Sequence, residues 1–597
     1  MRLPASERGR WTLAVAVGIL LLVALNVWWV MTYRYGYPLN VDENGYTSIA
    51  LNDWLGFENG GPHGWWSAVQ SQTPNAPLLP AITSLVLIVK AGVMEGFIVL
   101  IAFFALLAFA AYGIGERLAG PRLGALAALV VAASEGALGF SREYVFALPT
   151  AALLSCAVYA LLRSERMRRR RWAIACGVAI GSMLLARTMA IAFVPGVIAA
   201  ALVGMLAIDR TDLRQRFLNL GLMALAAVVV AATWYFHNLK PVYEYLTSFG
   251  YGTQSSYYGA EHAVISWGRF RAVTDRMIYD DLLMPLTALL VLAIVGLAIV
   301  AARRVASAED RREAALRLAA GNATAVAIVI ATGIAALMTS RNGGNGFSLP
   351  LSMLLPPLAV LSLHYYRVVA APIAGLLVAI AGLNLAATSN LWDGLAEPHF
   401  VAVPGLGQQP WLNGVPRTVD AVRVQVPGPA THFDERDAGW PEADDRLAEA
   451  LLRWIDSGRL ETPTVTFASR HRAISSNSVQ VALLLNHRQS VPFAQLNAEP
   501  DDSVATYVRQ LTDPEFGLPS MLVAMNRNTD DFPPLVTQSL AETAARRVGF
   551  RRVGAFTLPD GRQLRVLAKA RQPSGASSEP SPSAAPRPAR ARGSRRG

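Results

Sequence analysis

Two acidic residues stand side by side, Asp42 and Glu43, in the stretch YPLNVDENGYTSIALNDWLGF that follows the first long apolar run. A carboxylate placed where a membrane helix meets water can take a proton from a hydroxyl group. Adjacent side chains on a helix diverge by about 100°. One of the pair can therefore act as a base on a given atom, and the other is left to position. Four basic residues form a second set: Arg142 beside Glu143 in GFSREY, Arg187 in LLARTMA, Lys240 in WYFHNLKP and Arg341 in RNGGNGF. Each interrupts or borders an apolar stretch, where a charge is costly. Guanidinium groups gathered round one cavity would supply bidentate donors suited to a phosphate. Arg187 is the strongest single candidate, because it breaks a continuous apolar run and has no acid near it in sequence. Taken one at a time, each of these residues also fits a simpler role, as a side chain snorkelling to the interface.

The elements that must carry these groups are membrane helices. Of 597 residues, 53% are hydrophobic and 16% charged, and the mean hydropathy is +0.34. That composition points to a polytopic α-helical membrane protein. The formal charge of +11 resides mainly in short arginine-rich segments between apolar runs, which is a topology signal and not a mark of nucleic-acid binding. Cys156 and Cys176 both lie inside apolar runs and read as small buried hydrophobes.

Apolar runs of about 17 to 25 residues give about eleven spans: roughly 11–32, 95–116, 121–139, 147–163, 172–188, 190–208, 217–236, 282–302, 319–340, 348–364 and 368–388. The first has Arg2, Arg8 and Arg10 before it and no small-residue cleavage site, so it reads as a retained anchor with a cytoplasmic N-terminus. The alternation then sends GERLAGPR, RSERMRRRRW, DRTDLRQR, ARRVASAEDRREAALR and HYYR to the cytoplasm. The external side receives loops 33–94 and 237–281 and everything after about 389. The short run Leu78 to Val93 reads as a helix at the outer interface.

Beyond the spans the composition changes. TPTVTFASR, PSMLVAMN, RRVGAFTL and RQLRVLAK have strand character, while DDRLAEALLRWIDSG, SVQVALLLN, SVATYVRQLT and LVTQSLAETAARR have helical spacing. The chain thus divides into a membrane domain, 1–390, a soluble α/β domain, 391–570, and a basic Pro/Ser/Arg tail, 571–597, expected to be disordered. No GxGxxG or P-loop spacing occurs in the α/β domain, which suits binding or positioning better than catalysis.

The DE pair with Tyr46, the proline-rich NAPLLP, AYGIGERLAGPRLGALAALV, SREYVFALPTAALLSCAVYALL, GSMLLARTMAIAFVP and WYFHNLKPVYEY, in this order, resemble the GT-C glycosyltransferases. These polyprenyl-phosphate-sugar-dependent membrane enzymes include protein O-mannosyltransferases and the lipid A aminoarabinose transferase. The resemblance covers roughly residues 11–390. It implies a GT-C fold, selects Asp42 as base, and makes Glu43 its neighbour in the catalytic pair. Where many relatives carry a histidine before the proline-leucine of the external loop, this chain has Asn75 and Ala76, so that role does not carry over. Some relatives use a divalent cation and others none. No compact metal-ligand spacing is visible here, and metal dependence stays open.

The expected reaction is inverting transfer of a sugar from a polyprenyl-phosphate monosaccharide to an envelope glycan or glycolipid, at the external face of the plasma membrane. Asp42 would be the base. Arg187, Arg142, Arg341 and Lys240 would hold the donor phosphate. Glu143, Tyr46, His237, Tyr257 and Tyr258 would meet acceptor or sugar, the last two in a glycine-rich loop, SFGYGTQSSYYG, suited to closing over substrate. Most of the external tyrosines and tryptophans also fit an interfacial belt. A protein O-mannosyltransferase is the alternative within this class. A lipid or polysaccharide transporter and a non-catalytic envelope scaffold are the alternatives outside it.

Overall fold

The computed structural model describes residues 6 to 570 apart from 35–37, 72, 208–211, 253–262, 341, 345, 390, 393–394, 396–398, 404–406, 413–438, 470, 472, 498–501, 515–516 and 527–535. Arg341, Tyr257, Tyr258 and the tail 571–597 lie outside the described residues. So does most of the glycine-rich loop.

Helix α1 (Glu7–Tyr33) starts at Ser6, whose hydroxyl accepts the Gly9 N–H, and after Arg10 runs without a charge until Arg34. Leu20 and Leu21 are 66% and 67% exposed. Such a helix needs lipid around it, because its backbone is satisfied internally while its side chains are not water-compatible. Its other face, Val15, Ile19, Trp29 and Val30, packs into the core with α4 and α5.

Helix α2 (Val41–Val69) is polar and breaks at Gly61–Pro62, where Gly61 adopts φ 58°. The chain doubles back so tightly that a Cβ on Gly64 would lie 2.2 Å from the Gly56 carbonyl oxygen, and glycine is required at that approach. The helix α3 (Leu78–Leu87) follows and packs on α2, so the apolar run expected at the interface is helical.

The bundle continues with α4 (Gly96–Ala119), α5 (Pro121–Ala132), α6 (Glu135–Phe140), α7 (Ala147–Arg163) and α8 (Arg170–Ala186). A 3-10 turn, Thr188–Phe193, leads into α9 (Val194–Leu206), and the long α10 (Leu213–Tyr245) packs against α8. Then come α11 (Trp267–Arg276), α12 (Met284–Ala306), α13 (Arg311–Ala319), α14 (Asn322–Met338), the short α15 (Leu349–Ser352), α16 (Leu355–Ala359) and α17 (Leu361–Tyr365), and α18 (Arg367–Thr388).

Six helical stretches among the described residues are long and apolar enough to cross a membrane, or seven if α13 and α14, bent by 67°, count as one span. The expected eleven is not reached on length and composition. The stretch read as 121–139 is interrupted between α5 and α6, and 348–364 is three short helices. Pro350, Pro356 and Pro357 lie in that last stretch, where proline removes backbone donors. Both stretches are largely buried within protein, the setting in which broken helices are tolerated at membrane depth.

After α18 a hairpin, β1 (His399–Val403) and β2 (Gly407–Leu412), precedes an α/β unit. Its helices are α19 (Trp440–Asp456), α20 (Ser476–Ala482), α21 (Val504–Thr512) and α22 (Gln538–Arg547). Its sheet has the order β4-β3-β5-β7-β6, with β3 (Val465–Phe467) parallel to β4 (Phe493–Gln495) and β5 (Met521–Met525). Strands β6 (Arg551–Thr557) and β7 (Gln563–Ala568) close it antiparallel. Alternate residues of β5 face opposite layers, Met521, Val523 and Met525 towards α19 and α20, Leu522 and Ala524 towards α21 and α22. All eight segments read from the sequence as strand or helix adopt that state at their centres.

The α/β unit sits on α2. Val481 and Leu484 pack against Ala50, Leu51, Trp54 and Leu55, with Leu87 of α3 in the same cluster, and the Arg488 guanidinium lies 4.0 Å from the Trp54 ring centre.

Candidate active site

The N-terminus of α2 is built by a capping box. Asn40 Oδ1 accepts the N–H groups of Asp42 and Glu43 at 2.9 and 3.0 Å, and Glu43 Oε2 accepts the Asn40 N–H at 3.0 Å. This is the N-x-x-E pattern, residues 40–43, in which cap and third residue satisfy each other's orphan donors. It was legible in NVDE, and it separates the two acids.

Glu43 is fully buried. Its Oε1 accepts from Arg34 Nη2 at 2.8 Å and from the Tyr144 N–H at 2.9 Å, and its Oε2 accepts from Arg34 Nη2 at 2.7 Å. The carboxylate thus ties the end of α1, the start of α2 and the loop after α6. Its expected place in the catalytic pair becomes a structural one: its lone pairs are committed to three protein donor groups.

Asp42 is exposed. It stands in the first turn of α2, where the positive end of the helix dipole favours an ionised carboxylate. One turn on, half-buried Tyr46 meets Phe146 edge to face at 4.8 Å. Burial, with Asp42 and Tyr245 nearby, holds the Tyr46 hydroxyl well above the usual tyrosine range, and Arg187 opposes that shift.

Arg187 follows the last residue of α8, in extended backbone before the 3-10 turn. Only 6% of it is exposed. Its guanidinium lies over two rings, 3.5 Å from the Phe347 centre and 4.5 Å from the Phe146 centre, and within electrostatic reach of Asp42, Tyr46 and Tyr245. Both rings lie within cation–π distance of the guanidinium, whose N–H groups are its directional part. The structure therefore brings together Asp42, Tyr46 and Arg187, from residues 145 positions apart in the chain, 187 − 42. Phe146, Phe347 and Tyr245 complete the group. Sequence reasoning missed these three, because an aromatic in an apolar run carries no signal of its partner.

The other candidates fall elsewhere. Arg142 is 1% exposed and works as an interior clamp. Its Nε donates to Asn26 Oδ1 at 2.8 Å, Nη1 to the Thr388 carbonyl at 2.5 Å and Nη2 to Ser389 Oγ at 2.7 Å, over the Trp29 ring at 4.3 Å. It joins α1 to the end of α18, with Nε, Nη1 and Nη2 each directed to a protein acceptor. Glu143 is fully buried. Lys240 is 86% exposed and 3.8 Å from Glu244, and His237 is exposed beside Phe236, itself 85% exposed. This face of α10 is exposed. The inward residue of HNLK is Asn238, whose Oδ1 accepts the Thr73 N–H at 2.8 Å and anchors the proline-rich loop. Among the described residues, no group of three or more histidine, cysteine, aspartate or glutamate side chains is arranged to hold a metal ion.

The sequence between residues 73 and 236 matches the family model of dolichyl-phosphate-mannose-protein mannosyltransferase. The chain is similar in structure to ArnT from Cupriavidus metallidurans bound to undecaprenyl phosphate, with a TM-score of 0.52 at 14% identity over 94% of this chain and 98% of that one. Against the apo state of the same protein the TM-score is 0.50 at 15% identity, with the same coverage. The oligosaccharyltransferase of Archaeoglobus fulgidus aligns over 86% of this chain and 69% of its own, at 13% identity and a TM-score of 0.47. Among curated proteins none matches the sequence.

Proposed function

With a GT-C fold in a membrane-spanning chain as the premise, we propose an inverting glycosyltransferase that moves a monosaccharide from a polyprenyl phosphate to an envelope glycan or glycolipid, at the external face. The observation that carries this reading is the pairing of exposed Asp42 with ring-held Arg187 across the cluster. One is an acceptor for a proton, the other a fixed cation. Asp42 takes the proton of the acceptor hydroxyl as its oxygen attacks the anomeric carbon. The bond from that carbon to the phosphate oxygen breaks, and the phosphate leaves with the electron pair. Arg187 stabilises the charge it gains, in a site where a pre-set cation costs no reorganisation. Attack opposite the leaving group inverts the anomeric centre.

The bound undecaprenyl phosphate of the ArnT structure supports a lipid-linked phosphate as the donor class. A polypeptide acceptor is the second reading, favoured by the description of the family model over residues 73–236. The basic segments between apolar runs favour an external site, since positive loops stay inside.

The test is transfer by purified protein in lipid, with a panel of labelled polyprenyl-phosphate monosaccharides and an envelope extract, beside Asp42→Asn. Label should enter glycan with the wild type and fall at least about 10²-fold in the variant. Label in protein would support the second reading, and full activity of Asp42→Asn would sink the base assignment.

A further inference from the structure

The turn that carries Asp42 is held from outside the membrane bundle as well as from within it. Asn477, the second residue of α20, donates from Nδ2 to the main-chain oxygen of Val41 at 2.8 Å, across 436 positions of sequence. Val41 immediately precedes Asp42. The bond therefore restrains the peptide plane from which the Asp42 side chain projects. Space for this approach is made by Gly45: a Cβ there would meet Asn477 Nδ2 at 3.1 Å and its Cγ at 3.7 Å.

Asn477 is itself well anchored. Ser475 and Ser478 form a reciprocal capping box around it. The Ser478 hydroxyl donates to Asp444 Oδ1 of α19 at 2.7 Å, which fixes α20 to the rest of the α/β unit. One and two turns further on, Val481 and Leu484 seat the unit on α2 through apolar contact. The polar contact at Val41 and the apolar contact at Ala50–Leu55 are separate features, and they can be perturbed separately.

We propose that Asn477 is a positioning residue for Asp42, so that the C-terminal domain sets the geometry of the catalytic turn and does not merely cover it. The mechanism is geometric: the Asn477 amide holds the Val41 carbonyl, the carbonyl holds the first turn of α2, and that turn aims the Asp42 carboxylate. This rests on the reading of Asp42 as base.

Two measurements on the full chain in lipid nanodiscs test it: hydrogen exchange over residues 40–48, and transfer kinetics. In Asn477→Ala, exchange over 40–48 should rise about tenfold, the effect of losing one hydrogen bond. The kcat should fall by about the same factor, with the donor KM within about twofold. Val481→Ala loosens the apolar seat without touching Val41 and should leave exchange at 40–48 within about twofold of wild type. In Asn477→Asp a second negative charge near Asp42 should move the acid limb of the kcat/KM profile to higher pH. Unchanged exchange in Asn477→Ala would overturn the proposal, and so would an equal rise in Val481→Ala, which would make docking alone responsible. An Asp42→Asn protein that still transfers sugar would sink the base assignment, while the exchange comparison would still decide whether Asn477 braces the turn.

Discussion

Replacing Glu43 by glutamine should destabilise the whole acidic loop, whereas the same change at the neighbouring Asp42 should leave the fold intact. The Glu43 carboxylate accepts from Arg34 on both oxygens, from the Asn40 N–H on one and from the Tyr144 N–H on the other. Every neighbour is a donor. Whichever way a glutamine amide is turned, its NH₂ faces the Arg34 guanidinium and a backbone N–H, and the buried guanidinium loses its counter-charge. Both side chains are 1% exposed, so no solvent screening softens the loss, and removing one partner of such a pair costs about 3–5 kcal/mol. Asp42 is exposed. Its neutralisation forfeits a helix-dipole contribution of about 0.3–1 kcal/mol. Thermal unfolding of the full chain in nanodiscs at pH 7 measures the contrast: a fall on the order of 5 °C for Glu43→Gln and about 1 °C for Asp42→Asn. A Glu43→Gln protein that melts with the wild type would refute the argument that this carboxylate is a structural tie.

Arg187→Ala should lower kcat/KM by about 10²–10³-fold. Arg187→Lys should lower it by about tenfold, because an ammonium has no planar faces for Phe146 and Phe347; wild-type rates in the alanine variant would remove Arg187 from the donor site. Lys240→Ala and His237→Ala, on the outward face of α10, should transfer within about twofold of wild type, and a large loss in the same assay would show that this face meets substrate. Asp53 is buried in α2 with no hydrogen-bond partner for either carboxylate oxygen among the described residues, and burial pushes it up to about 8 from 3.8. The folded protein then holds a proton that the unfolded chain has released. Stability contributed by this group is greatest below about pH 4, falls as pH rises to about 8, and is level above. Asp53→Asn should flatten the Tm between pH 4 and 8 and raise it at pH 8; an unchanged pH slope would refute the assignment.

The sequence alone determined the class of the molecule and the chemistry to look for. Long apolar runs demand lipid, the composition after the last apolar run is that of an α/β unit, and alternating or helical spacing placed all eight of the α/β segments that were read. Asp42 and Arg187 were visible because a charge beside an apolar run is energetically conspicuous, and Tyr46 through the resemblance carried by the stretch around the acidic pair. The capping pattern at 40–43 was equally local and would have assigned Glu43 to structure. Tertiary packing alone decided the rest. Arg142 and Arg187 both border apolar runs in sequence, yet one guanidinium meets Asn26, Thr388 and Ser389 while the other lies over Phe146 and Phe347, within electrostatic reach of Asp42. Lys240 and Asn238 are two residues apart and face opposite ways. Asn477 reaches Val41 from a different domain. Hydrophobic spacing is a property of neighbours along the chain, so it can be read there. The partner of a buried polar group is chosen by whichever distant segment packs against it, and that choice exists only once the chain is folded.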